Sequence, residues 1–413
     1  MSAPTSAPAE AAQSPAAPAG FGRRQVYAVA GCYFVASFAA LGLPPYLTEI
    51  LPQLGDEGAR WAGLLYVVPT VFGGLGAPLW GRLADRYGRK RLLLRAQLGL
   101  ALAFLLAGWA DSLATFTAAL VLQGILGGTF AASNGYLAAA LQGPSLSKAL
   151  TLMQGSARAA LVLAPILVGV LSPWMSPHRQ YALLAVLPLG AALLLATLPE
   201  PKATAPEPKS TEARDTPEPT VPPAVPLRAL YAIEFGFVFS TVISFPYLIS
   251  LVKEQLPGTG PVLAAVLFAL PHVCYLVAAI PVHAALQGRA KLGIAVGFGC
   301  IALGLAGHGV ADSPAAFVAA RLLLGAGLTL GLVGRSLLAA DCAKGRAPSG
   351  MFGSLEFFSK AGAVTAGLAA AAGNAWYGPT APVLTGTVAA LLAACLVALP
   401  ALIRRSSSPL WSR

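Results

Sequence analysis

Seven ionisable residues lie in long apolar stretches: Arg158, Glu234, His272, Arg321, Arg335, Glu356 and Lys360. On insertion scales a charge at mid-bilayer costs at least about 2.5 kcal/mol, so each needs a partner or a task. Glu234 has two readings. It is a carboxylate snorkelling to the nearer face, or a proton carrier governed by desolvation and a neighbouring arginine. His272, beside Pro271, either titrates or bonds a nearby carbonyl. Glu356 and Lys360 are four apart on one helical face and either neutralise each other or line a cavity. At about 1.5 Å per residue, Arg158 and Lys360 fall near the midplane. Arg335 is six residues from Asp341, a poor helical spacing for a pair, and is placed facing a cavity.

Together these groups set four cations against two carboxylates. A chamber lined by them favours an anionic or carboxylate-bearing solute. Tyr46, Asn134, Tyr136 and Gln154 would add hydrogen bonds, with Phe357 and Phe358 as an apolar wall.

The elements positioning these residues follow from composition. The chain has 413 residues, 56% hydrophobic and only 10% charged, where a soluble protein carries about 25% charged residues. An all-α integral membrane protein is expected. Runs long enough to span fall at 25–51, 58–80, 92–110, 113–139, 149–171, 180–198, 228–252, 261–285, 292–310, 313–340, 350–372 and 381–403. They form two six-helix bundles, 23–199 and 227–403. Residues 200–226, rich in Pro, Glu, Lys and Thr, read as a cytoplasmic linker. Residues 1–22 lack the basic start and apolar core of a signal peptide and read as a cytoplasmic tail, as do 404–413.

The net charge of +11 reports topology rather than nucleic-acid binding. Most of the 27 Lys and Arg lie in segments on one side; the loops on the other hold only Arg60, Arg179 and Lys253. The basic side is expected to be cytoplasmic, with both termini there. Cys32, Cys274, Cys300, Cys342 and Cys395 show no ligand or redox spacing and read as packing residues. No cofactor or metal is expected.

The halves repeat. Pro45-Tyr46-Leu47 recurs as Pro246-Tyr247-Leu248, displaced by 201 residues. The same displacement relates Ala119 to Gly124 with Ala320 to Gly325, and Leu198-Pro199 with Leu399-Pro400. Two pseudo-symmetric bundles around a central cavity, with binding near the midplane, are expected.

Between the second and third spans the chain reads Gly81-Arg82-Leu83-Ala84-Asp85-Arg86-Tyr87-Gly88-Arg89-Lys90. This resembles the G-x-x-x-D-R-x-G-R-[RK] signature of the major facilitator superfamily, matching at Gly81, Asp85, Arg86, Gly88, Arg89 and Lys90. The resemblance implies a conformational latch in which Asp85 holds the start of span 11, near Ser349 and Gly350, and keeps the cytoplasmic side closed. The equivalent loop in the second half, Gly288-Arg289-Ala290-Lys291, lacks the acid. Ala164-Pro165-Ile166-Leu167-Val168-Gly169 partly resembles the G-P-x-x-G-G element of the superfamily's proton-coupled drug and metabolite exporters. Gln123 and Gly124 match their R-x-x-Q-G element, but Leu120 stands at its arginine.

The resemblance implies a proton-coupled transporter of the cell inner membrane, expected to act as a monomer. It would export a small organic solute by alternating access; some members export siderophores. Uptake by the same fold is the alternative, and a non-transporting receptor is a rival from another class. No Ser-His-Asp elbow, metal cluster or nucleotide loop suggests an enzyme. Gly325-Ala326-Gly327 reads as helix packing.

Overall fold

The computed structural model describes residues 22–141, 143–200, 225–343 and 348–406. Most of the expected tails and of the expected linker therefore lie outside the described residues, and α16 runs on to Ser406. The N-terminal half contains α1 (Arg23–Gly42), α2 (Leu47–Ile50), α3 (Ala62–Tyr87), α4 (Arg89–Trp109), α5 (Leu113–Leu126), α6 (Thr129–Ala140), α7 (Gly143–Leu171), α8 (Pro177–Leu184) and α9 (Val186–Ala196). The C-terminal half contains α10 (Leu227–Val242), α11 (Leu248–Gln255), α12 (Pro261–Ala285), α13 (Ala290–Val310), α14 (Pro314–Ala343), α15 (Pro348–Tyr377) and α16 (Thr380–Ser406). The described residues contain no strand. In hydrocarbon, a helix satisfies its backbone groups within the segment.

Nine stretches of the described residues are long and apolar enough to cross a bilayer. The α3 segment, the α5–α6 pair and α15 occupy the second, fourth and eleventh expected positions. This is a multi-pass membrane protein.

The repeat is visible in the backbone. Tyr46 and Tyr247 each end a three-residue 3-10 turn, Pro44–Tyr46 and Phe245–Tyr247, which leads into α2 and α11 respectively. The two turns lie against each other across the halves.

The fourth span departs from the expected continuous helix. It breaks at Gly127-Gly128, where Gly128 has φ +87°. A helix leaves its last carbonyls without partners, and side chains answer three of them. Trp80 Nε1 donates to the Ile125 carbonyl at 2.7 Å. Arg95 Nη1 donates to the carbonyls of Leu126 at 2.7 Å and Gly127 at 3.0 Å. The Arg95 guanidinium also stacks on the Trp80 ring, 3.1 Å from its centroid. The sixth span is divided at Ala185 between α8 and α9; Pro188 has no N–H to give the Leu184 carbonyl.

The halves join at the end of the bundle away from the termini. There α3 crosses α15 and α7 crosses α12. A Cβ added at Gly63 would stand 2.8 Å from the Ala371 amide nitrogen, so only glycine permits this crossing distance. Tyr247 Oη accepts from the Gly63 N–H at 3.0 Å, and Lys253 Nζ meets Glu49 Oε1 at 2.8 Å.

Candidate solute and proton site

The groups expected in the solute pathway divide into a connected cluster and three residues placed elsewhere. Glu234 on α10 pairs with Arg335 on α14, both side chains mostly buried. Phe237, three residues beyond Glu234, lies 3.9 Å from the same guanidinium. A charged pair, closed by an aromatic face, is a favourable way to keep a cation inside a bundle. Arg335 is thus held by Glu234, not by Asp341.

Arg158 on α7 faces the opposite half: its guanidinium lies 5.7 Å from the Tyr275 ring of α12. It is within electrostatic reach of Arg335 and Tyr33, and Tyr33 in turn is within reach of Glu356. Glu356 meets Lys360 along α15 at 3.4 Å, with both side chains well exposed. Ionisable groups from α7, α10, α14 and α15, with tyrosines from α1 and α12, thus form one electrostatic neighbourhood between the halves.

Arg321 is not part of it. It is 1% exposed. Its Nε donates to the Leu267 carbonyl and its Nη2 to the Phe268 carbonyl, both at 2.6 Å. The cause is local to α12: Pro271 has no N–H for the Leu267 carbonyl four residues back, and the guanidinium takes that acceptor. Arg321 is therefore a staple between α14 and α12. The cluster keeps three of the four expected cations against the same two carboxylates.

Two other candidates are also buried outside the cluster, and His272 lies at its edge, within electrostatic reach of both Arg158 and Arg321. Tyr46 Oη donates to the Pro165 carbonyl at 2.7 Å, tying the first 3-10 turn to α7. Tyr136 Oη donates to the Pro199 carbonyl at 2.7 Å. His272 is boxed by the rings of Phe245 and Phe268, each with its centroid 6.1 Å away. The Asn134 side chain lies outside the described residues.

The signature loop is partly described. The side chains of Asp85 and Ser349, on the two sides of the expected latch, lie outside the described residues. Gly88 has φ +94°, a left-handed turn between α3 and α4 that favours glycine. Arg89 Nη1 donates to the Gly135 carbonyl at 2.8 Å and Lys90 Nζ to the Ala196 carbonyl at 2.9 Å, anchoring the loop to α6 and α9. Arg86 lies 5.3 Å from the Tyr87 ring.

Sequence reading missed Tyr33, Tyr275 and Arg95. The two tyrosines carry no charge to mark them in an apolar run. Arg95 sits nearly two turns into α4, where it reads as part of the basic inner flank.

The sequence profile of the Major Facilitator Superfamily matches residues 29–286. The chain belongs to this superfamily. It is similar to the multidrug resistance protein MdtG of Yersinia enterocolitica, with 33% identity over 171 residues, 40% of this chain and 39% of that protein. It is also similar to MdtG of Citrobacter koseri, with 34% identity over 183 residues and 43% of each chain. The matched region thus spans about two-fifths of these curated relatives' length. Among solved structures, the POT family transporter PepTSo aligns with TM-score 0.71 at 14% identity, covering 94% of this chain and 99% of that one. A bacterial homologue of the human lysosomal transporter Spinster, in an inward-facing and occupied conformation, aligns with TM-score 0.69 at 13% identity over 92% of this chain and 96% of that one. These likenesses show the fold. The family is one of transporters, not enzymes.

Proposed function

We propose that this protein is a proton-coupled secondary transporter that exports a small anionic organic solute across the inner membrane, working as a monomer by alternating access. The observation that carries this reading is the Glu234–Arg335 pair, set in the same electrostatic neighbourhood as Arg158. When Glu234 takes a proton, Arg335 loses its counter-ion and stands as a second cation beside Arg158. A solute carboxylate can then replace the lost charge. Proton binding and solute binding thus favour each other at one shared pair, a linkage that couples the two movements in one direction and by itself suits uptake as well as export.

The expected basic inner side places both termini in the cytoplasm. On that orientation, the joined end with Gly63, Tyr247, Glu49 and Lys253 is the outer gate, and the described conformation is open inward. Export is favoured over uptake by the partial Pro165–Gly169 element and fits the multidrug resistance for which the relatives are named. Residues 23–199 and 227–403 would act as the two rocking bundles.

The direct test uses proteoliposomes with the protein oriented inside-out and a preset pH gradient. Candidate organic anions and cations are added in turn, with solute accumulation and gradient collapse followed together. Accumulation of an anion with loss of the gradient supports the proposal. Accumulation of cations alone would overturn the anionic reading, and accumulation without any gradient change would overturn proton coupling.

A further inference from the structure

One face of α10 carries Arg228, Tyr231, Ala232 and Phe235, at the spacing of successive helical turns, opposite the buried Leu230, Ile233 and Phe237. With Phe358 of α15 these residues line a hollow of about 400 Å³. Tyr231 and Phe358 stack nearly parallel, 5.2 Å between centroids and 9° between planes, while Phe357 meets Phe358 edge-on at 5.5 Å. The hollow therefore has a flat aromatic wall. Its one charged member is Arg228, exposed and without a carboxylate partner among the described residues. Glu234, one turn beyond Tyr231, is already taken by Arg335.

We infer that this hollow is a subsite for a flat aromatic ring bearing a carboxylate, and so names the solute class. The inference rests on the anionic reading above. Each feature selects a part of that class. The Tyr231–Phe358 wall rewards a planar ring, which stacks offset on aromatic faces where a bulky aliphatic group cannot. The Arg228 guanidinium offers the paired N–H geometry that suits a carboxylate. A hollow of about 400 Å³ is in the size range of sites that hold one small molecule. An aromatic cation is disfavoured because Arg228 would face it with no neutralising acid in the lining.

The test measures binding to the full-length protein in lipid nanodiscs by calorimetry, with naphthoate as the probe. Naphthylmethylamine reverses the charge, and cyclohexanecarboxylate removes the aromatic ring. Naphthoate is expected to bind more tightly than either. Arg228→Gln should weaken it about tenfold, the size of one lost charge-assisted contact, and Arg228→Lys should recover part of that loss. Phe358→Leu should weaken naphthoate more than cyclohexanecarboxylate. The subsite is overturned if wild type does not bind naphthoate, if the amine binds as well, or if both variants bind like wild type. Binding needs no proton gradient. If anion-driven gradient collapse persists while these binding differences fail, the subsite falls and the transport proposal stands.

Discussion

The Glu234 carboxylate on α10 meets the Arg335 guanidinium on α14, with the Phe237 ring 3.9 Å from the same cation. Removing one member of such a pair leaves a charge without its partner. Glu234→Gln should cost about 3 kcal/mol of stability, and adding Arg335→Met to it should return most of the loss, because the apolar chain can pack on Phe237. Thermal unfolding of the purified variants in detergent checks this. If the double variant is as unstable as the single, the pairing is not what the carboxylate contributes.

Arg321 makes a contrasting prediction. As a staple on the Leu267 and Phe268 carbonyls, it holds α12 against α14. Arg321→Met forfeits two bonds from a charged donor, each about 1.5 kcal/mol or more, and should lower the unfolding temperature clearly. Transport per folded molecule, and KM for the solute, should change no more than about twofold. A large rise in KM at unchanged stability would instead place Arg321 in the solute pathway.

The closed end has its own lever in Glu49 and Lys253. Lys253 is exposed and Glu49 half-buried; a pair near the surface contributes about 0.2–1 kcal/mol, so losing it moves a two-state population by up to about fivefold. Lys253→Glu sets like charges against each other and should favour opening there. In a cysteine-free background, a cysteine at the buried Ser244 should then label faster with an impermeant maleimide. The charge swap Glu49→Lys with Lys253→Glu should bring the rate back. Unchanged labelling in Lys253→Glu would remove this pair from the gate.

The signature loop can be probed at two residues with different roles. Gly88→Ala forces a side chain into a left-handed turn, costing about 1 kcal/mol or more, and should lower the amount of folded protein. Asp85→Asn, by our proposal, loses the latch and should lower transport while insertion stays intact. Surface labelling and transport assays on the same vesicles separate these outcomes. Full transport by Asp85→Asn would end the latch assignment.

Much of the fold was legible because the bilayer restricts the choice of structure. The apolar run lengths marked the segments, and the 201-residue displacement of Pro45-Tyr46-Leu47 marked a repeat whose two copies prove to be paired 3-10 turns. Gly325 does pack against Pro271 and Cys274 of α12, as the glycine-rich run suggested. The break at Gly127-Gly128 was not legible, because it depends on Arg95 and Trp80 reaching carbonyls from two other helices.

The site was legible only as a census of charges. Sequence spacing joined Glu356 to Lys360, but could not join Glu234 to Arg335 across two helices. Nor could it show that Pro271 frees a carbonyl for Arg321. Arg321 and Arg335 lie on the same helix in similar apolar surroundings, and only the neighbouring helices tell the staple from the paired cation. Tyr33 and Tyr275 became visible only through their placement near Arg158.

The coupling role of Glu234 is tested most directly in inside-out proteoliposomes carrying wild type or Glu234→Gln at matched amounts of folded protein. A transported organic anion is added against a preset pH gradient. Wild type should accumulate the anion and dissipate the gradient, and Glu234→Gln should slow gradient dissipation at least about tenfold. Equal dissipation by the two proteins would contradict the assignment of Glu234 as the proton carrier.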